Sequence, residues 1–346
     1  MHSKMTLQQA ISQVVSGNHL SQQEARDVMS FIMEGEATSA QIGSLMTALR
    51  MKGETIEEIA GFAETMRSKA SRVEAEQQHL LDTCGTGGDG ADTFNISTAS
   101  ALVAAAGGIR VAKHGNRAMS SKSGSADVLE ALGVHIELTQ EQAARCLKEV
   151  GICFMFAQLF HQSMKHAAGP RKEIGIRTVF NLLGPLTNPA AADRQLLGIF
   201  DRTRTEQIAH VLRLLGLKRG LVVGSLDGLD EISISAPTQI TELKNGDIQT
   251  FIVTPDELGL RSHSLSAVVG GDAAHNADMI RRIFSGERGA PRDILLANSG
   301  ACFYVADRAA TLQEGIKMAA DIIDSGKAQE KLEQLARYTG AMKHVS

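Results

Sequence analysis

The chain has 346 residues, 43% of them hydrophobic and 21% charged, with a formal net charge of −4. That is enough chain for one or two globular domains with a core that needs no staples, and the charge gives no global footprint for nucleic acid. Cys84, Cys146, Cys153 and Cys302 include no CxxC pair, the N-terminus has no apolar leader, and no apolar run approaches the ~18 residues of a membrane helix, so a cytoplasmic protein with free thiols is expected.

Roughly the first 70 residues read as helices by periodicity and caps. Ser21 with Glu24 and Thr55 with Glu58 have capping-box spacing. Ile42, Leu45, Met46 and Leu49 form one apolar stripe, and Ile59, Phe62, Ala63 and Met66 another, which predicts a small helical bundle. Leu80 and Leu81 read as the end of a short buried strand, followed by the glycine-rich loop 85–90. A small-residue helix is expected from Ser97 to Ala106, stopped by Gly107-Gly108, and a second strand from Ile109 to Ala112, leading into Lys113. A helix from Ser125 to Gly133, a helix boxed by Thr139 and Gln142, and a strand from Ile152 to Phe156 follow. Residues 165–194, rich in Gly, Pro, Arg and Asn, read as a crossing segment. The alternation resumes with Leu196–Phe200, a helix carrying Ile208, Val211, Leu212 and Leu215, and Leu221–Val223, which together predict a mostly parallel α/β sheet. Helices return toward the C-terminus, with Thr311 and Glu314 as a further box.

Three loops carry candidate chemistry. Gly85-x-Gly87-x-x-Gly90 formally matches the dinucleotide fingerprint, but the next strand leads into Lys113 and not into the acidic residue that fingerprint requires. No Gly-Lys-Ser/Thr closes the run, so it is not a P-loop. A backbone-lined anion site remains, beside the plainer alternative of a tight strand-to-helix turn. Asp89 suits a sugar hydroxyl or a bridging cation, while Asn95, Ser97 and Thr98 open a helix whose free N–H groups suit phosphate. The second loop packs two strong cations and several hydroxyl donors into the nine residues Lys113 to Ser121 beyond a strand, where ligands bind in open sheets, with further serines up to Ser125; the alternative is a solvated basic turn. The third, Asp227-Gly228-Leu229-Asp230-Glu231, offers adjacent carboxylates for Mg2+. Alone it reads more readily as a solvated acidic turn, and it gains weight only beside the phosphate-type loops. Arg171 can fork onto a carboxylate or sit in a surface ion pair. His161 and His166 are five apart, off a common helix face, and are not read as a metal pair.

GTGGD at 85–89, NIST at 95–98, KHGNRAMSS at 113–121, GSADVLEALG at 124–133, GPRKEIGIRTVFNLLGPLTNP at 169–189 and DGLDE at 227–231 occur in that order. Together they resemble the motifs of the anthranilate phosphoribosyltransferases, over nearly the whole chain. The resemblance implies a nucleoside phosphorylase/phosphoribosyltransferase fold: a small all-helical domain, residues 1–75 joined by part of 168–194, and a large α/β domain, 76–167 and 195–346, with a mostly parallel sheet. It implies transfer of the phosphoribosyl group of phosphoribosyl pyrophosphate (PRPP) to the amine of anthranilate, the second step of tryptophan biosynthesis from chorismate. It further implies a Mg2+ cofactor and a homodimer, and leaves open whether the enzyme acts alone or with an anthranilate synthase partner. PRPP contacts carry over to Gly85, Gly88, Asp89, Thr93, Asn95, Ile96, Ser97, Thr98, Lys113, His114, Gly115, Asn116, Arg117, Ala118, Met119, Ser120, Ser121 and Ser125. Mg2+ contacts carry over to Ser97, Asp230 and Glu231, and anthranilate contacts to Gly85, Asn116 and Arg171; Lys113, Asn116 and Arg171 are the expected catalytic residues. The alternatives weighed are a pyrimidine nucleoside phosphorylase and a non-enzymatic nucleic-acid-binding relative. Both fit the motifs less well, and neither a nucleic-acid nor a membrane partner is expected.

Overall fold

Four capped helices lead the chain: α1 (Leu7–Val15), α2 (Gln22–Met33), α3 (Ser39–Lys52) and α4 (Ile56–Lys69). Each starts with a complete capping box, on Thr6, Ser21, Thr38 and Thr55, so their first-turn donors are satisfied locally. The stripes expected on α3 and α4 are buried, and the four helices pack on one another. The computed structural model describes residues 5–75, 79–118 and 121–343.

The sheet follows. Its strands are β1 (Leu80–Gly85), β2 (Arg110–Gly115), β3 (Ile152–Phe156), β4 (Arg194–Gly198), β5 (Arg219–Ser225), β6 (Thr238–Lys244) and β7 (Asp247–Val253), in spatial order β3-β2-β1-β4-β5-β6-β7. The first five are parallel, and β6 and β7 add an antiparallel hairpin at one edge. Helices α5 (Ile96–Ala106), α6 (Ser125–Ala131), α7 (Gln140–Val150), α8 (Ala157–Phe160), α9 (Lys165–Ile174), α10 (Phe180–Leu183) and α11 (Thr205–Leu214) connect the strands. Helices α12 (Ala273–Phe284), α13 (Ala290–Val305), α14 (Leu312–Asp324) and α15 (Lys327–Met342) complete the chain. One core lies under α5, α13, α14 and α15; the other joins the bundle, α10, α11 and the opposite side of β4 and β5. No helix among the described residues is long and apolar enough to cross a membrane.

The structure moves strand boundaries and adds a hairpin. Leu80 and Leu81 begin β1 and do not end it, because Asp82 and Thr83 are buried polar strand residues; Asp82 accepts the His114 N–H at 3.2 Å. The second strand runs on to Gly115, so Lys113 and His114 belong to it and not to the loop after it. Their side chains therefore alternate between the two faces. The β6–β7 hairpin has no counterpart among the expected elements, although Asn245-Gly246, both at positive φ, is the usual signature of its two-residue turn.

The crossing segment is tied to the sheet by polar groups that must be paired once buried. Asn188 Nδ2 donates to the Ala112 carbonyl at 2.8 Å, Gln195 Nε2 to Pro185 at 2.7 Å, and Arg67 Nε to Leu186 at 2.6 Å. His114 and His161 meet in this seam with ring centroids 4.9 Å apart and the ring planes tilted by 56°. Burial lowers His114 to about 3, aided by the neighbouring His161, and lowers His161 to about 4. Folded values below the unfolded value of about 6.5 mean stability that is complete above that pH and lost as pH falls from there toward 4. By pH 5 each ring costs about 2 kcal/mol. Urea melts of wild type and His161→Gln are expected to show a stability gap that narrows by about that amount between pH 7.5 and 5. A gap independent of pH excludes His161 as the titrating group.

Candidate active site

Gly85 ends β1 and Gly198 ends β4, paired side by side where the strand order turns outward in both directions. Ligands of open α/β sheets bind beyond the strand ends at such a switch point. The acidic loop after β5 folds over this pair. A Cβ at Gly85 would strike the Asp230 carboxylate, and one at Gly198 would strike the Asp230 carbonyl. Two missing side chains are what let Asp230 lie over the switch point.

Asp230 and Glu231 are each only 9% exposed, so the solvated-turn alternative is not what the structure shows. Asp230 Oδ2 accepts the Gly87 N–H at 2.8 Å. Burial, then the facing Asp89 carboxylate, pushes Asp230 up to about 7. Burial, then Asp230, drives Glu231 well above the carboxylate range, while Lys113 and the Ser97 backbone N–H pull the other way. Crowded buried carboxylates of this kind call for a cation. Among the described residues no three acidic, His or Cys side chains form a metal cage. A hard cation that takes one or two carboxylates and completes its shell with waters and substrate phosphates fits this pair; a resident ion held by protein alone does not.

Lys113, 2% exposed, reaches up from β2 beside them. Its Nζ donates to the Thr83 carbonyl and, at 3.3 Å, to Ser97 Oγ, which leaves a third ammonium donor to spare. Helix α5 starts here without a side-chain cap, unlike the bundle helices. Its cap residue Asn95 instead donates to the Ser123 carbonyl and accepts from Asn276 Nδ2, both at 3.0 Å, tying the glycine loop, the serine loop and α12 together. In the first turn the Ile96 N–H goes to the Phe94 carbonyl at 2.7 Å and the Ser97 N–H to Glu231, which leaves the Thr98 N–H for an anion. The buried Thr98 hydroxyl has no partner among the described residues. Thr93 bridges to Val269, and Asp89 Oδ1 caps its own turn on Ala91 N at 3.1 Å.

The remaining expected residues separate. The His114 ring lies in the seam against His161, off this cluster. Arg117 spends its charge on Asp127 and Glu130, so of these two strong cations only Lys113 has a donor left for phosphate. Asp127 in turn takes the Ala118 and Gly124 N–H groups at 2.9 and 2.8 Å, which fixes the start of α6 at Ser125. The side-chain oxygen of Asn116 takes the Arg117 N–H at 2.8 Å. Ser121 is exposed, and Gly115 and Gly88 are partly so. Met119 and Ser120 lie outside the described residues. Arg171 stands on the bundle side, where α9 packs against α2 and α3. Its guanidinium lies 5.2 Å from the Phe180 ring, with no carboxylate partner among the described residues. Arg177, not singled out from sequence, stacks 4.2 Å from the Phe200 ring and donates to the Gly88 carbonyl, linking crossing segment and glycine loop. Its place in the long GPRKEIGIRTVFNLLGPLTNP motif was the available signal.

Residues 8–70 match the helical bundle domain of the glycosyl transferase family, and residues 77–329 match that family's a/b domain. Anthranilate phosphoribosyltransferase of Brevibacillus brevis is 54% identical over 97% of this chain and 99% of its own length. The crystal structure of the Thermus thermophilus enzyme of that name superposes with a TM-score of 0.91 at 42% identity, over 95% of this chain and 99% of its own. The Saccharomyces cerevisiae enzyme in complex with PRPP and Mg superposes with a TM-score of 0.89 at 28% identity, over 98% and 99% of the two chains.

Proposed function

The chain belongs to the anthranilate phosphoribosyltransferases, and on that premise we propose that Lys113, Asn116, Arg171, Asp230 and Glu231 carry its reaction. It is an enzyme that transfers the phosphoribosyl group of PRPP to the amine of anthranilate, releasing pyrophosphate, in tryptophan biosynthesis. One observation carries the assignment of roles: a buried acidic pair, a free ammonium and an uncapped helix start converge on one switch point.

Departure of pyrophosphate places negative charge on the leaving group and positive charge on the ribose ring. Lys113 and the Thr98 N–H in the first turn of α5 stabilise the former, acting from fixed positions in a water-poor site. Asp230 and Glu231, with Ser97, hold Mg2+, which when bound neutralises the diphosphate. Gly85, Gly88, Asp89, Thr93 and Asn95 line the ribose and diphosphate, together with residues 115–118, Ser121 and Ser125. The anthranilate amine is unprotonated at neutral pH, so no strong general base is required. Arg171 takes the anthranilate carboxylate, Asn116 and Gly85 flank the ring, and orientation supplies much of the rate.

The boundary between bundle and α/β domain falls at 75/76, with part of 168–194 on the bundle side. Packing of α9 on α2 and α3 and of α10 on α4 supports this division. The enzyme acts as a cytoplasmic homodimer; four free cysteines, three of them buried, suit a reducing compartment. The test is loss of anthranilate fluorescence in purified protein given PRPP and Mg2+. Loss that needs all three components is expected. No loss, with nucleoside cleavage in phosphate or binding of single-stranded DNA instead, overturns the assignment.

A further inference from the structure

We propose that Asn298 is a positioning residue of the acidic pair: its side-chain amide, reaching from α13, holds the peptide that follows Glu231 and so sets where the carboxylates aim. Residues 229–234 are buried yet form neither helix nor strand. Buried irregular backbone must find partners for its N–H and C=O groups. Ile232 finds both on one side chain: its N–H donates to Asn298 Oδ1 at 2.9 Å, and its carbonyl accepts from Asn298 Nδ2 at 3.0 Å. The same Nδ2 donates to the Ile294 carbonyl at 2.9 Å, which locks the amide to its own helix. Asn298 and Ile232 are both 0% exposed, so no water replaces these bonds.

The Ile232 N–H and the Glu231 carbonyl share one peptide plane, so the amide fixes the backbone immediately beside Glu231. Farther along, the Asp227 carboxylate accepts Ser233 Oγ at 2.8 Å and also Ser235 Oγ, closing the loop on itself. At the pair itself, the ties to the rest of the protein include the Gly87 N–H on Asp230, the Ser97 N–H on Glu231 and the Asn298 amide on Ile232; of these only the last holds the backbone. Asn298 touches neither substrate nor ion; it acts through Glu231 and lies in none of the six motif segments.

The proposal rests on the acidic pair as ligands of the divalent ion. Its test titrates Mn2+ into purified wild type, Asn298→Ala and Asn298→Asp with PRPP present and anthranilate absent, against an enzyme-free PRPP control, reading free ion by electron paramagnetic resonance, alongside the Mg2+ dependence of the rate. Loss of a group that orients metal ligands weakens metal affinity on the order of 10–100-fold. Asn298→Ala is expected to weaken Mn2+ binding and raise the half-saturating Mg2+ concentration by at least about 10-fold, with the anthranilate KM within about 2-fold of wild type. Asn298→Asp keeps the acceptor for the Ile232 N–H and loses the donor, so a smaller shift in the same direction is expected; it carries the comparison if the Ala variant does not fold. Unchanged Mn2+ binding in the folded variants, whatever happens to turnover or thermal stability, overturns the proposal. Asp230→Asn with Glu231→Gln is measured in parallel. If that variant also leaves Mn2+ binding intact, the ligand assignment itself fails; if it abolishes binding while the Asn298 variants do not move it, only the role of Asn298 fails.

Discussion

Asp230→Asn combined with Glu231→Gln is expected to lower kcat by about 10²–10³-fold, the loss typical when one fixed source of transition-state charge stabilisation is removed, and to flatten the response to Mg2+. The substitutions are close to isosteric and keep the Gly87 N–H within reach of a side-chain oxygen. Stability is expected to move the opposite way. Asp230 has a folded value raised to about 7 by burial and by Asp89, above the ordinary carboxylate value. A carboxyl raised in this way stabilises the fold below the unfolded value, near 4, and loses that contribution as pH rises through 7. At pH 8 without metal the pair is a burden, so the neutral variant melts higher, by roughly 2–4 °C for each kcal/mol of relieved repulsion. The gain fades toward pH 4, where the wild-type carboxyls are protonated in both states. Thermal melts at pH 8 and pH 5, with steady-state kinetics across Mg2+ concentration, check both arms. Turnover and melting temperature falling together would make the pair a structural element and not a metal site.

The sequence made the switch-point chemistry legible because charge and glycine stand out in a string of letters. Asp230 and Glu231 stand out by type and by their place after β5, and Lys113 by type, and the structure brings them together. Less was legible where partner choice decides the outcome. Arg117 reads as a phosphate ligand as readily as Lys113 does, but Asp127 and Glu130 lie one helix away in space and absorb it. His114 sits next to Lys113 in the chain, and strand alternation turns its ring to the other face. Alternation is hidden when β2 is expected to stop at Ala112; a buried lysine is rare enough that Lys113 looks like loop. The same bias shortens the expected β1, whose Asp82 is 0% exposed. Asn298 and Gly198 carry no chemistry of their own, and only the approach of Asp230 and Ile232 to them gives them meaning.

Arg171→Ala is expected to raise the anthranilate KM by about 100-fold while the PRPP KM stays within about 2-fold, the cost of a charge-assisted bidentate contact at roughly 2–3 kcal/mol. The guanidinium is half-buried on α9, burial lowers its pKa, and no carboxylate faces it among the described residues. A cation held partly out of water without a partner is a standing cost to the folded protein, justified by the anion it receives. Removing it should therefore leave the melting temperature of the free enzyme unchanged or slightly higher, which separates a binding role from a structural one. Arg171→Lys should recover only part of the loss, since an ammonium cannot fork onto a carboxylate or stack on Phe180 as the planar guanidinium does. An anthranilate analogue lacking the carboxylate should be used about equally poorly by wild type and variant, because the contact Arg171 makes is absent in both. Initial-rate kinetics with both substrates varied, plus one thermal melt, suffice. Equal increases in the two KM values, or a lysine variant as active as wild type, would remove Arg171 from the anthranilate site and leave it as a wall of the cleft.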